Sequence, residues 1–157
     1  MNSTTTLIIS SSYDNGESKE YTGFNNILIN NSIYIPVEPD IDRFIKRYAK
    51  YIVANKDKVI NFIINNLNTI PVMQAVLKEA EKRLRKGEVK GIEIKLYEDI
   101  EDPEDVTLEI VVCMNGKGEY TSRFRLWDEL CSIASKVAKE GRIEDVLTKV
   151  YVIIKAG

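Results

Sequence analysis

Residues 91–112 read GIEIKLYEDIEDPEDVTLEIVV, and this stretch decides the fold. In its first part Ile92, Ile94 and Leu96 alternate with polar residues, and positions 106–112 repeat that alternation. A period of two is typical of a strand that buries one face. The acidic, proline-containing stretch between the two runs is suited to a turn, so we expect an antiparallel hairpin.

Outside this hairpin the patterns of the chain are mixed. The predicted elements are a strand at 4–10, a hairpin at 27–35, a helical segment at 40–87 with Asp40 as N-cap, a strand at 119–125 after Asn115-Gly116, a helix at 126–140 and an apolar, central strand at 150–156. This order predicts an α+β protein, in which an antiparallel β-meander packs with helices and an N-terminal hairpin precedes them.

The length of 157 residues predicts one domain, 1–157. Its charge is divided between a β-rich part (1–39), a basic helical part (40–90) and an acidic part (91–157) that holds the meander, a helix and a strand. Charge separated in this way indicates two surfaces with different partners. No apolar run is long enough to span a bilayer, and the N-terminus does not resemble a signal peptide, so we expect no membrane partner and an intracellular location.

The chain contains no histidine, which excludes a Ser-His-Asp triad, a Cys-His dyad and a His-ligated zinc site. The two cysteines, Cys113 and Cys131, are too few for a zinc site, and we expect buried thiols, or a disulfide if the source is a hyperthermophile. Any general base must therefore be a carboxylate or a metal-bound water.

One candidate site lies on the outer face of the hairpin. Glu93 and Lys95 leave the same face of a strand, and this Glu-x-Lys resembles one half of the PD-(D/E)xK nuclease pattern. The resemblance implies that carboxylates on adjacent strands hold Mg²⁺ or Mn²⁺ while the lysine stabilises developing charge. The upstream Pro-Asp of that family is missing, so Glu109 or Glu88 would have to replace it.

The register of the hairpin separates two interpretations of this face. A hairpin centred on Glu101 places Glu93 opposite Glu109, and two such carboxylates require a cation between them. A hairpin centred on Asp102 places Lys95 opposite Glu109, as an ordinary cross-strand pair on a solvated sheet face.

The acidic loop 98–105 is a second candidate. Asp99-Ile100-Glu101 resembles the metal motif of nucleotidyltransferases, although the preceding Gly-Ser turn of that family is missing. The alternative is a solvated acidic turn.

Basic residues form the third candidate, a surface for the phosphate backbone of DNA. The predicted contacts are Arg43, Lys46, Arg47, Lys50, Lys82, Arg85, Lys86, Arg123 and Arg125. The alternative is the solvated outer face of a helix.

In size and α+β pattern the chain is similar to small nucleases of filamentous viruses of hyperthermophilic archaea, and its Ile- and Asn-rich segments such as NFIINNLNTI are typical of that source. Together these features favour a metal-dependent deoxyribonuclease with Glu93, Lys95, Glu109 and Glu88 as its catalytic residues. The alternative is a non-catalytic module that binds nucleic acid or a host protein.

Overall fold

The computed structural model describes residues 37–116 and 119–157. They form four helices, α1 (Val37–Tyr48), α2 (Lys56–Asn65), α3 (Thr69–Arg85) and α4 (Tyr120–Gly141), and three strands, β1 (Val89–Glu98), β2 (Val106–Met114) and β3 (Val150–Lys155). Short 3₁₀ helices span Ala49–Tyr51 and Glu144–Thr148. The predicted α+β class is confirmed. The strand at 4–10 and the hairpin at 27–35 lie outside the described residues.

The hairpin of β1 and β2 has the second of the two expected registers. Lys95 is opposite Glu109, while Glu93 is opposite Val111. The turn between the strands is held by local bonds, in which the carboxylates of Asp99 and Asp102 accept backbone N–H groups at 2.8 and 3.2 Å. These turns determine where the hairpin is centred and so which pairs face each other.

The predicted strand at 119–125 is wrong, because these residues form the beginning of α4. Leu126, Leu130, Ala134 and Ala138 are buried at helical spacing, and their burial outweighs the hairpin signal of Asn115-Gly116. Gly116 does adopt the positive φ of 74° that a turn requires, but a helix follows it instead of a strand.

The sheet is therefore mixed and not a meander. β3 pairs in parallel with β2, and α4 supplies the crossover that a parallel connection needs. Within the described part of the chain β3 is an edge strand, whereas the sequence predicted a central one. On the opposite edge, Ile52 forms an isolated bridge with Ile94.

The helical region divides as expected, with small shifts at the ends. α1 begins at Val37, three residues before the predicted N-cap Asp40. α3 ends in a Schellman motif, in which Gly87 has a φ of 83° and the N–H groups of Gly87 and Glu88 bond to the carbonyls of Leu84 and Arg83.

One face of the sheet packs against α3, and together they form the core. Ile94, Leu108 and Ile110 are fully buried on this face, against Val76 and Leu77 of α3. Side chains at odd positions of β1 and β2 point to the opposite face, because neighbours in a strand alternate. Among the described residues, no helix is long and apolar enough to cross a membrane.

Candidate nucleic-acid interface

The chain divides into two compact units, residues 1–43 and 44–157. Arg43 closes the first unit. The other predicted site residues belong to the second unit, which is the one described below.

The outer face of the sheet brings together three of the predicted catalytic residues. Glu93, Lys95 and Glu109 point away from the core, and each is half-buried. Lys95 lies directly opposite Glu109, which leaves Glu93 as a diagonal neighbour of Glu109 at a typical separation of about 7–8 Å. The directly opposed pair of carboxylates that would require a cation is therefore not formed.

Glu88 is held elsewhere. Its carboxylate accepts a bond from the guanidinium of Arg83 at 3.3 Å, one residue before β1 begins. Arg83 also donates to Glu79 at 2.9 Å and to Glu129 of α4, so one arginine joins α3, α4 and the start of β1. Burial works against the charge of Arg83, but its hydrogen bonds to Glu79 and Glu129 outweigh this and raise its pKa. Glu88 thus has a structural partner at a distance from Glu93.

The acidic loop is a solvated turn. Glu101, Asp102, Glu104 and Asp105 are exposed, and the bonds within the loop are those of local turns. Throughout residues 37–116 and 119–157, no group of three or more Asp, Glu, Cys or His side chains is arranged to hold a metal ion.

Another ionic contact of this unit surrounds Glu81, a residue that the sequence pattern did not single out. Its side chain is only 7% exposed, and it accepts bonds from Arg47 at 2.8 Å and from the hydroxyl of Tyr51 at 2.7 Å. Lys50 approaches it at 3.8 Å. A carboxylate with three such partners fixes the last turn of α1 and the 3₁₀ helix after it against the C-terminal part of α3.

The pKa shifts follow from this geometry. Burial alone would raise the pKa of Glu81, but the hydrogen bonds from Tyr51 and Arg47 and the nearby positive charges outweigh it, so its pKa is lowered. Burial, together with the bond to Glu81, raises the pKa of Tyr51 to about 12. Glu81 is therefore charged and Tyr51 neutral over the whole physiological range.

A helical wheel would have offered one signal for Glu81. It stands four residues after Leu77 and three before Leu84, at the border of the apolar stripe of α3. An acid in that position, with basic residues in a preceding helix, is a candidate for a buried ion pair.

Glu81 joins two basic clusters that are separate in the sequence. Lys78 and Arg85 lie three residues before and four residues after it, which makes them its neighbours along the helix surface. Lys82 continues the same side at i+4 from Lys78. We define the basic surface as these three residues together with Arg47 and Lys50, and all five are exposed.

The remaining predicted contacts have different positions. Lys46 is exposed in the last turn of α1, and Lys86 is exposed just beyond the end of α3. Arg123 and Arg125 belong to α4 and not to a strand beside Glu109, because the predicted strand is a helix. The guanidinium of Arg123 lies 5.9 Å from the ring of Tyr120.

Comparison with known proteins leaves the site to be interpreted from its own chemistry. No protein-family model, no curated protein and no solved structure matches the chain. The resemblances to nuclease families, and to viral proteins of hyperthermophilic archaea, accordingly stay predictions.

Proposed function

We propose that this chain is a non-catalytic nucleic-acid-binding module that holds a phosphate backbone on its basic surface. The observation that carries the proposal is the position of Glu81. One buried acid of α3 binds Arg47 and lies 3.8 Å from Lys50, and the exposed Lys78, Lys82 and Arg85 belong to that same helix. A dense positive surface of this kind attracts polyanions although the whole chain has a net charge of −2.

The spacing of the α3 residues supports this proposal. Lys78, Lys82 and Arg85 follow each other at intervals of about one helical turn, about 4.5–6 Å along the helix axis. Repeated single cations on one side of a helix suit contacts to successive phosphates, which confer affinity without reading sequence. We therefore expect binding that depends strongly on salt and weakly on base sequence.

The test is a binding titration with a labelled DNA duplex and a labelled single strand of the same sequence. In wild type we expect binding to both. The triple variant Lys78→Ala, Lys82→Ala, Arg85→Ala should bind roughly a hundredfold or more weakly at about 0.1 M salt, because each lost phosphate contact is worth close to a factor of ten there. Binding that is unchanged in the triple variant would refute the proposal.

A matched control distinguishes the basic surface from the general charge of the chain. Lys136 and Lys139 are exposed lysines in the second half of α4, where the basic surface does not extend. Alanine at both positions should leave the affinity for DNA within about twofold of wild type, since neither lysine is placed to contact a phosphate backbone that is bound along α3.

A metal-dependent nuclease is the second candidate, because the half-buried Glu93, Lys95 and Glu109 are neighbours on the outer face of the sheet. Two carboxylates can hold Mg²⁺ or Mn²⁺ when phosphate and water complete its shell. Two features count against it. Lys95 faces Glu109 and can neutralise it, and the α3 part of the basic surface lies on the other side of the sheet, because α3 packs on the core face.

The nuclease candidate has its own assay. Linear duplex and single-stranded DNA would be incubated with Mg²⁺, Mn²⁺ or EDTA, with Glu93→Ala, Glu109→Ala and Glu88→Ala beside wild type. Metal-dependent cleavage lost in Glu93→Ala or Glu109→Ala, but kept in Glu88→Ala, would establish this candidate. DNA binding without cleavage under any of these conditions would favour the binding module.

A further inference from the structure

Three aromatic side chains lie exposed along the first half of α4. Tyr120, Phe124 and Trp127 are 72%, 52% and 41% exposed. Their rings touch in sequence, with centroids 6.3 Å apart for Tyr120 and Phe124 and 5.8 Å apart for Phe124 and Trp127. An unbroken row of three exposed aromatic rings is more than the scattered apolar residues of an ordinary surface, and it marks an interaction site. We define these three residues as the aromatic seam.

The spacing of the aromatic seam is that of a helix interface. Steps of four and three residues place its members at alternating a and d positions of a heptad. The same repeat continues through Cys131 to Ala134 and Ala138, which are buried within the fold. The a and d positions of α4 therefore run from Tyr120 to Ala138. The fold buries Ala134 and Ala138 at the end of this series, whereas the aromatic residues at its beginning are exposed.

The indole of Trp127 is fixed in place. Its Nε1 donates to the backbone carbonyl of Val152 at 3.1 Å, on β3. An aromatic side chain that is already oriented loses little conformational freedom on binding, and such residues are the usual anchors of protein interfaces.

Opposite charges border the two sides of the aromatic seam. Arg123 is at the g position of one heptad and Asp128 at the e position of the next. Arg123 is half-buried against the ring of Tyr120, and its buried Nε finds no hydrogen-bond acceptor among the described residues. Asp128 is exposed. A g residue meets the e residue five positions further on in a parallel partner helix.

We propose that the aromatic seam is the contact between two copies of this chain, with their α4 helices packed in parallel about a two-fold axis. In this arrangement Arg123 of each copy faces Asp128 of the other, so the same charge pair forms twice. An antiparallel arrangement would not form it, because g residues then face g residues. A nucleic-acid strand fits less well, since Asp128 would repel its phosphates. Because the aromatic seam covers only two turns of helix, we expect a weak dimer, in the micromolar range.

The test is sedimentation velocity of the full chain over about 1 to 500 μM, with the fluorescence of the chain's single tryptophan followed in parallel. We expect a reversible monomer–dimer equilibrium and a blue shift of the Trp127 emission as concentration rises. Phe124→Ser should raise the dissociation constant at least tenfold. Tyr97→Ser, which removes an equally exposed ring from β1, should leave it unchanged.

A charge exchange tests the orientation of the helices. Arg123→Glu and Asp128→Arg should each raise the dissociation constant, because like charges then meet twice, and the double variant should restore it. A wild type that stays monomeric over the whole range would overturn the proposal. A dimer that Phe124→Ser leaves intact would overturn it too, and failure of the double variant to recover would overturn the parallel arrangement. Quenching of Trp127 by an oligonucleotide at concentrations where the chain is monomeric would assign the aromatic seam to nucleic acid instead.

Discussion

Replacing Glu81 by glutamine removes the charge at the centre of the basic surface while keeping the volume and the hydrogen-bonding shape of the side chain. Its bonds from Arg47 and Tyr51 lose their charge-assisted component. A hydrogen bond to a charged group contributes about 1.5–3 kcal/mol, but Arg47 is 55% exposed, so solvent screens its part strongly. We expect Glu81→Gln to lower the free energy of unfolding by about 1–2 kcal/mol, which corresponds to roughly 2–8 °C in Tm.

The pH dependence of this loss distinguishes the ionic contribution from a packing defect. The pKa of Glu81 is lower in the folded chain than the usual 4.5, so the unfolded chain takes up the proton more readily. The stabilisation by the carboxylate is complete above pH 4.5 and disappears as the pH falls through the folded-state pKa. The stability difference between wild type and Glu81→Gln should shrink in the same way.

Denaturant unfolding of both proteins at several pH values measures this difference. Glu98→Gln is the control, because its carboxylate forms an exposed pair with Lys58 at 3.3 Å, and exposed pairs contribute at most about 1 kcal/mol. Equal stability of wild type and Glu81→Gln at neutral pH would refute the reasoning, and so would a difference that persists unchanged at acid pH.

Two further predictions follow from the same contacts and from the end of α3. Because the pKa of Tyr51 is raised from 10 to about 12, the stability that its neutral hydroxyl contributes is complete below pH 10 and is lost between pH 10 and 12. In unfolding curves measured over that alkaline range, the free energy of unfolding of Tyr51→Phe should fall less than that of wild type. An equal fall in both proteins would contradict the raised pKa of Tyr51. Gly87→Ala should cost about 1 kcal/mol in denaturant unfolding, because its φ is 83°, whereas Gly91→Ala, whose added methyl would lie 4.0 Å from Cβ of Cys113, should be nearly neutral. Similar costs at both glycines would show that the positive φ of Gly87 is not the cause of the cost of Gly87→Ala.

The hairpin shows how far sequence reasoning reached. Alternation identified β1 and β2 within a few residues, because burial of one face imposes a period of two. The same alternation is compatible with pairing centred on Glu101 or on Asp102, and the two differ in which charged residues meet. The choice depends on the backbone bonds of the turn, in which Asp99 and Asp102 accept N–H groups. The presence of six acidic residues at 98–105 does not by itself specify these backbone bonds.

The error at residues 119–125 has a different physical origin. Asn115-Gly116 is a strong hairpin signal, and it was allowed to predict the structure that follows the turn. The segment after it alternates poorly, and its aromatic residues at 120, 124 and 127 already follow the helical period of α4. The aromatic seam is exposed and so does not belong to the core stripe of α4, and the buried helical pattern begins only at Leu126.

The candidate site was predicted only in part. The charged, exposed positions can be read from a sequence, but the side chains that they contact cannot. The basic residues of α3 and of the end of α1 were identified from the sequence. Their convergence was not, since it depends on Glu81, which lies 34 residues from Arg47 and 30 from Tyr51 in the chain. Long-range ion pairs of this kind leave no local periodicity for a single sequence to reveal.

The central claim is that the basic surface binds a phosphate backbone, and the salt dependence of DNA binding tests it most directly. The slope of log K against log[NaCl] for a duplex should be smaller in magnitude by about 2.7 in the triple variant Lys78→Ala, Lys82→Ala, Arg85→Ala than in wild type, because each phosphate contact contributes about 0.9. Equal slopes in the two proteins would contradict the claim.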